Sequence, residues 1–307
     1  MLMAAHRAMG TTLFFLGAVA AAHAHLTQGL ALYEPLQPRA SAFLHGEDTG
    51  VLCHIFAARA LWYLGYPDQG LVQNQQAVTL AQQRAYPLSL SYGLCFTAMF
   101  HQFRCEVRAA QEAAEAAISF ATEQGFPYWI AVGSILRGWA LAQQGQAQEG
   151  ITQINQGLSA MRTTGAEVAR PYLLALLAEA HGIRGEPEEG LTGLTEALTL
   201  TDTTGERWYE AELHRLKGAL LLQQSSGNST EAEAHFHQAI AIAQNQQAKS
   251  LELRASTSLA RLWQQQGKRQ EAHDLLAPVY NWFSEGFDTA DLKDAKALLD
   301  ALTEGQS

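Results

Sequence analysis

The feature that most constrains the fold of this chain is a turn-forming residue that recurs about every 40 residues. The recurring glycines are Gly65, Gly145, Gly185, Gly227 and Gly267. Cys105 occupies the equivalent position between Gly65 and Gly145. These six turn positions, called marks below, lie 40, 40, 40, 42 and 40 residues apart. Such a period is typical of stacked repeats, each of which is too small to bury a core alone. The sequence therefore predicts one elongated repeat array.

Small residues flank every mark at fixed distances. Seven positions before the mark stand Ala58, Ala98, Gly138, Ala178 and Ala260, with Gly218 shifted by the two-residue insertion. Five positions after it stand Gly70, Ala110, Gly150, Gly190, Ala232 and Ala272, and seven further on Ala77, Ala117, Gly157, Ala197 and Ala239. Small side chains let two antiparallel helices approach closely while larger apolar residues fill the groove. Each unit is thus predicted to be a helical hairpin, and no alternating strand pattern competes.

The register predicts an all-α solenoid: a single domain, 1–307, with about seven hairpins and a capping helix. The predicted hairpins cover approximately 1–35, 50–84, 88–124, 128–164, 170–204, 208–246 and 249–283. The capping helix is expected at 289–303, with Asp288 and Thr289 as its cap. Its apolar stripe consists of Leu292, Ala295, Leu299 and Leu302.

The N-terminus has an alternative interpretation as a secretion signal. Arg7 precedes an apolar run over 13–22, and Ala22, His23 and Ala24 imitate a small-residue cleavage site. The run is shorter than the roughly 20 residues that a membrane-spanning helix needs. Because Gly10, Gly17, Ala22 and Gly29 fit the repeat marks, we favour a first hairpin and no membrane partner.

Composition and charge limit the classes of binding partner and the cellular compartment that we expect for this chain. The net charge is −10, and residues 111–307 hold 25 acidic against 14 basic residues. A chain without a basic stripe is not expected to bind nucleic acid. Three irregularly spaced cysteines, Cys53, Cys95 and Cys105, favour reduced thiols and a cytoplasmic location.

The 12- and 7-residue spacing of small positions resembles the tetratricopeptide repeat, although the period is 40 rather than 34 residues. Residues 213–218, 246–254, 258–268 and 282–292 also resemble the C-terminal helical repeats of large bacterial signalling proteins. In those proteins a class III nucleotidyl cyclase domain is often followed by a signal-transduction ATPase and then by the repeats. The resemblance implies a regulatory segment with an ATPase or cyclase domain as a partner, in cis or in trans.

No catalytic constellation emerges from the sequence, so we expect neither an enzyme nor a cofactor. The chain has no GxxxxGK[ST] motif, and the pairs His23/His25 and His235/His237 point about 200° apart on a helix. We therefore expect no metal site. His101 and His181 hold equivalent positions and are predicted to be partly buried packing residues. The acids Glu186, Glu188 and Glu189 are expected to begin a helix, where they favour the positive end of its dipole.

The remaining candidate is a groove lined by the first helices, which are expected to face the concave surface of the solenoid. The predicted groove residues are Arg59, Trp62, Tyr92, Trp139, Tyr172, Glu179, Glu212, Arg215, Arg254 and Arg261. Aromatic residues and arginine often anchor interfaces. In the alternative interpretation, Trp139 and the tyrosines pack between repeats and the arginines are solvated.

These features together predict a non-catalytic module that binds a protein or peptide in its concave groove, within a bacterial signal-transduction protein. The alternative is a detached regulatory segment of a cyclase-ATPase whose catalytic domains are absent from this sequence.

Overall fold

The computed structural model describes residues 2–33 and 47–304 of the 307-residue chain. In these ranges the chain forms fifteen α-helices and a 3₁₀ turn at Ser226–Asn228, and no β-strand. The helices are α1 Leu2–Phe15, α2 Val19–Ala31, α3 Thr49–Tyr63, α4 Pro67–Arg84, α5 Pro87–Phe103, α6 Val107–Gln124, α7 Pro127–Gln143, α8 Ala147–Thr163, α9 Arg170–Arg184, α10 Pro187–Thr204, α11 Glu210–Gln224, α12 Ser229–Asn245, α13 Lys249–Gln265, α14 Arg269–Asn281 and α15 Ala290–Thr303. This succession confirms the predicted all-α solenoid of helical hairpins. The predicted outer limits of the first hairpin, residues 1 and 35, lie outside the described residues.

The chain divides into two compact units. The first consists of Met1–Trp62 and Asp68–Val168, and the second of Tyr63–Pro67 and Ala169–Ser307. Within the first unit α5 packs on α6 and α7 on α8, and within the second α9 packs on α10, α11 on α12 and α13 on α14. First helices of successive hairpins also touch, as α5 and α7 do in the first unit and α11 and α13 in the second.

Small residues lie where the paired helices cross, as the sequence predicts. A Cβ atom added to Gly138 of α7 would lie 2.7 Å from the carbonyl oxygen of Gly150 on α8. In the second unit, a Cβ on Gly218 of α11 would lie 3.0 Å from the carbonyl oxygen of Ala232 on α12. Ala178 and Ala260 at the same position are almost fully buried. The main chains therefore touch at the crossings, and larger side chains are excluded there.

The turns follow the predicted marks with one exception. Gly145, Gly185 and Gly267 have φ between 81° and 86°, a left-handed conformation that suits glycine, and Cys105 takes φ 56° in the same place. Gly227 lies instead in the 3₁₀ turn, where the two extra residues of this hairpin are accommodated.

Helix α15 closes the second unit with its predicted apolar stripe. Leu292, Ala295, Leu299 and Leu302 are buried in one cluster with Leu253 and Leu276. Thr289 occupies the N-cap position, but its hydroxyl donates to the carbonyl oxygen of Gly286 and does not cap the helix. No helix in the described ranges is both long enough and apolar enough to span a membrane.

Candidate interaction surface on the first helices

Six of the predicted groove residues lie on neighbouring first helices of the second unit, and three of the six share one position in the repeat. Tyr172 on α9, Glu212 on α11 and Arg254 on α13 each stand six positions before the small residue at the helix crossing. Because α9 touches α11, α11 touches α13, and α13 touches α15, residues of equal register come to lie in a row. The repeat thus builds a line of side chains across several helices.

Charged groups form a connected network in this row. Arg215 donates to both carboxylate oxygens of Glu212, from Nε to Oε2 at 2.9 Å and from Nη2 to Oε1 at 2.7 Å. Arg254 Nη1 donates to the same Oε1 at 3.4 Å, and its Nε donates to Asp291 Oδ2 on α15 at 2.9 Å. The side chains of Glu212 and Arg254 are only 4% and 8% exposed. Two guanidinium groups and two carboxyl groups therefore share one poorly solvated site.

The two carboxyl groups respond in opposite directions to this environment. Burial acts to raise the pKa of Glu212, but the guanidinium groups of Arg215 and Arg254 outweigh it and hold that pKa below its ordinary value. Burial raises the pKa of Asp291, and Arg254 offsets this only in part. Asp291 is thus the member of the network that takes up a proton more readily as the pH falls.

Aromatic side chains line the site next to Glu212. Tyr172 lies 5.3 Å from Trp208 and 4.9 Å from Tyr209 between ring centroids, and all three are 2% exposed or less. Burial raises the pKa of Tyr209 well above its ordinary value, and the Glu212 carboxylate acts in the same direction. These rings form a packed floor rather than an accessible contact surface.

The rim of the same surface is exposed. Arg261 of α13 pairs with Asp294 of α15 at 2.7 Å, with side-chain exposures of 46% and 53%. Glu179 on α9 is half-buried, and the Arg215 side chain is 19% exposed. Accessible groups at this surface are therefore mostly charged.

In the first unit the predicted groove residues are packed. The Arg59 guanidinium is buried against the rings of Phe14, Phe56 and Phe96, at 4.3, 5.1 and 5.2 Å from their centroids. Trp62 stacks on Phe103 at 5.0 Å.

Two further aromatic residues of the predicted groove also contact other side chains of this unit. Tyr92 is half-buried and lies 4.2 Å from Trp129, while Trp139 is 1% exposed. Nearby, a cleft of about 290 Å³ between α7 and α8 is lined in part by Ser134, Arg137 and Gln153.

The structure thus divides the predicted set. Glu212, Arg215 and Arg254 are brought together, and Glu179 and Arg261 have accessible surface. Trp62, Trp139, Tyr172 and Arg59 are packing residues, which corrects their assignment to a partner surface. The alternative interpretation agrees with the burial of Trp139 and Tyr172, while Tyr92 is half-buried. It is wrong for Arg59 and Arg254, which are buried, whereas Arg215 is partly exposed and Arg261 is exposed.

The histidines make contacts that their sequence spacing does not reveal. His101 and His181 are partly buried, as predicted, and each places Nδ1 next to the acid five positions on, Glu106 at 2.6 Å and Glu186 at 2.9 Å. Glu186 thus holds a turn together instead of merely favouring the helix dipole. Among the described residues, no group of three or more metal-ligating side chains is present.

Two histidine pairs form between the helices of a hairpin. His6 and His25 join α1 to α2, with their Nδ1 atoms 3.0 Å apart. His214 and His235 join α11 to α12 at 3.1 Å. In each pair the first histidine stands four positions before the small crossing residue of the first helix. The second stands three positions after the small crossing residue of the second helix, so the same contact recurs in two hairpins. His23 and His237, the other members of the sequence pairs, do not take part.

Asp291 and Asp294 are surface-defining residues that the sequence prediction missed. They stand three positions apart in the first turns of α15 and meet Arg254 and Arg261. The sequence signal for them was a pair of acids in the first turns of the capping helix, opposite in charge to Arg254 and Arg261 on α13. Because α15 lacks the repeat marks, the register could not be extended to it.

Comparison with known sequences identifies one distant relative and no family. No family model matches the chain. A protein of Rhizobium meliloti (strain 1021) described as uncharacterized is 25% identical over 235 residues, which is 76% of this chain and 23% of that protein. The chain therefore spans less than a quarter of the length of this curated relative.

Solved structures of three proteins have a similar fold. A Rap protein complexed with Competence and Sporulation Factor matches with a TM-score of 0.65 and 17% identity, over 98% of this chain and 80% of that one. The apo form of RapI matches with a TM-score of 0.58 and 10% identity, over 98% and 100% of the chains. Aspartyl phosphate phosphatase F from Bacillus subtilis matches with 0.57 and 13%, over 89% and 67%. The fold is that of tetratricopeptide-like helical repeats.

Proposed function

We propose that this chain is a non-catalytic module that binds a protein or peptide along its first helices, within a bacterial signal-transduction protein. The observation that carries the proposal is the charged network of Glu212, Arg215, Arg254 and Asp291 beside an exposed charged rim. Removing charges from water costs free energy that a simple apolar contact would not. Their placement on the first helices α11 and α13 and on the capping helix α15 is therefore better explained by a surface that must present fixed charges.

The chemistry of this surface suggests the kind of partner. The accessible groups Glu179, Arg215 and Arg261 carry both signs of charge, whereas the aromatic rings beneath them are buried. A polar segment with acidic and basic side chains complements such a rim, and electrostatic complementarity mainly determines its specificity. An apolar helix would find little surface to cover here.

A structural neighbour supports this mode of action. The Rap protein that shares the fold is complexed with Competence and Sporulation Factor. At 17% identity the likeness establishes the fold alone, so the contacts proposed here rest on the charges of this chain.

Selection of binding peptides tests the proposal. Peptides are selected from a random library on the immobilised chain, and their affinities are measured by fluorescence polarisation. Charge reversals Glu179→Lys and Arg261→Glu should each weaken binding by at least about tenfold, that is about 1.4 kcal/mol. Both side chains have accessible surface, so the fold should persist.

A matched control is Glu189→Lys, an exposed position on the second helix α10. It should leave the affinities unchanged. Equal affinities for wild type and both rim variants would reject the first-helix surface as the binding site.

We further propose that the module regulates an ATPase or cyclase domain, in cis or in trans. The support is the sequence resemblance together with the length of the Rhizobium meliloti relative, of which the match covers 23%. Adding the purified chain to such a domain should change its nucleotide turnover. Nucleotide hydrolysis by the chain alone would contradict a non-catalytic role.

A further inference from the structure

The outward face of α1 is apolar and exposed. Leu2 and Met9 on this helix and Leu16, which directly follows it, are 63%, 50% and 51% exposed, and they stand seven residues apart. Ala5 and Thr12 lie between them and are exposed too. Arg7 is the only charged residue among the first 33. The helix thus presents an uncharged stripe about 20 Å long.

This stripe occupies positions that the fold covers elsewhere in the first unit. Ala5 and Thr12 stand five before and two after the crossing residue Gly10. The equivalent residues are buried in each of the other first helices of the unit. They are Cys53 and Ala60 in α3, Gly93 and Phe100 in α5, and Gly133 and Ala140 in α7. The α1 stripe therefore has the chemistry of a helix-packing face.

The pattern indicates what can cover it. Large apolar residues seven apart, with small residues between them, form the seam of a two-helix contact. Because the stripe carries no charge, two copies can face each other without repulsion, as an isologous twofold contact requires. By contrast, α15 exposes Asp294, Lys296 and Asp300. This charged helix is a poor partner for the stripe, which disfavours contact between α1 and α15 of different copies.

We propose that the α1 stripe is a self-association surface that pairs antiparallel with the α1 stripe of a second copy of this chain. Met9 then lies opposite Met9 of the second copy, and Leu2 opposite Leu16. A single helix pair is smaller than the interfaces of about 1,200–2,000 Å² that hold stable complexes. The dimer is therefore reversible and depends on concentration. This inference is independent of the proposed peptide-binding function.

Sedimentation equilibrium over a wide concentration range tests it. The wild-type chain should show a monomer–dimer equilibrium. Met9→Glu should weaken dimerisation by at least about tenfold, because twofold symmetry places two carboxylates against each other. Val72→Glu is the matched control, since Val72 is also 50% exposed in the first unit but lies on α4. It should leave the equilibrium unchanged, and circular dichroism should show equal helix content in all three proteins.

Disulfide trapping checks the geometry. Under mild oxidation Met9→Cys should cross-link to itself, whereas Leu2→Cys should do so only when mixed with Leu16→Cys. Val72→Cys measures the background from the native cysteines.

A wild-type chain that stays monomeric at every concentration would overturn the proposal, and so would a dimer insensitive to Met9→Glu. If the monomer instead binds phosphatidylcholine vesicles and Met9→Glu abolishes this, the stripe is a lipid-binding face and the proposal is equally wrong.

Discussion

The buried histidine pair between α11 and α12 predicts a loss of stability in mild acid. His214 is 7% exposed, and its Nδ1 lies 3.1 Å from Nδ1 of His235. One ring must donate and the other must accept, so the contact requires a neutral acceptor ring. Burial lowers the pKa of His214 from 6.5 to about 4, and the charges of His235 and Lys217 act in the same direction, against Asp202.

The size and sign of the effect on stability follow from the difference between the ordinary pKa of His214 and its pKa in the folded chain. One pKa unit corresponds to about 1.4 kcal/mol, so a change from 6.5 to about 4 corresponds to about 3–4 kcal/mol. Between these values the unfolded chain holds a proton that the folded chain has released. The stabilising contribution is therefore fully present above pH 6.5 and is lost as the pH falls towards 4.

The perturbation is His214→Gln, and the assay is urea denaturation followed by circular dichroism at a series of pH values. At neutral pH the variant should be less stable than the wild type, because it loses the ring packing. The stability difference should shrink by up to about 3 kcal/mol between pH 7 and pH 4.5. This convergence, rather than the neutral-pH loss, is the diagnostic result.

His237→Gln serves as the control, because His237 lies on α12, the helix of His235, and its side chain is 54% exposed. This variant should not reproduce the convergence. A constant difference between wild type and His214→Gln at every pH would refute the reasoning, since it would mean that folding does not suppress protonation of the pair.

Two further predictions concern the crossings and the network, both measured as free energies of unfolding. Gly138→Ala should destabilise the chain by about 1–3 kcal/mol, because its Cβ would meet the Gly150 carbonyl oxygen. Gly193→Ala, with its nearest neighbour at 4.0 Å, should stabilise it by up to about 1 kcal/mol, and equal effects would contradict close contact. Glu212→Gln should cost about 3–5 kcal/mol, whereas Arg261→Gln in an exposed pair should cost below about 1 kcal/mol. Similar losses would mean that the network is well solvated.

The hairpins could be predicted from sequence because their main constraint is local and steric. Only a very small side chain fits where two helices cross, as the contact of Gly138 with Gly150 illustrates. A residue type needed at one fixed position per repeat leaves a period that is visible without any structure. The exception, Gly227, falls in the one hairpin whose period is 42.

The interaction surface could be predicted only in part, because register does not determine which way a side chain packs. Trp139 follows the crossing residue directly, as Glu179 does, yet Trp139 is 1% exposed and Glu179 is half-buried. A large ring can fill the gap between neighbouring helices, and a carboxylate turns towards water. Side-chain chemistry would have separated them better than position.

The charged network also fixes the register between helices, which apolar packing alone does not determine. Leu253, Leu276 and Leu292 hold α13, α14 and α15 together, but apolar contacts tolerate small shifts of one helix along another. Hydrogen bonds from Arg254 to Glu212 on α11 and to Asp291 on α15 do not. Arg254 therefore fixes the first helices α11 and α13 and the capping helix α15 in one register, and the rim charges keep constant spacing. A surface that recognises a partner by charge needs that constancy, so the costly burial of Glu212 and Arg254 serves the function we propose.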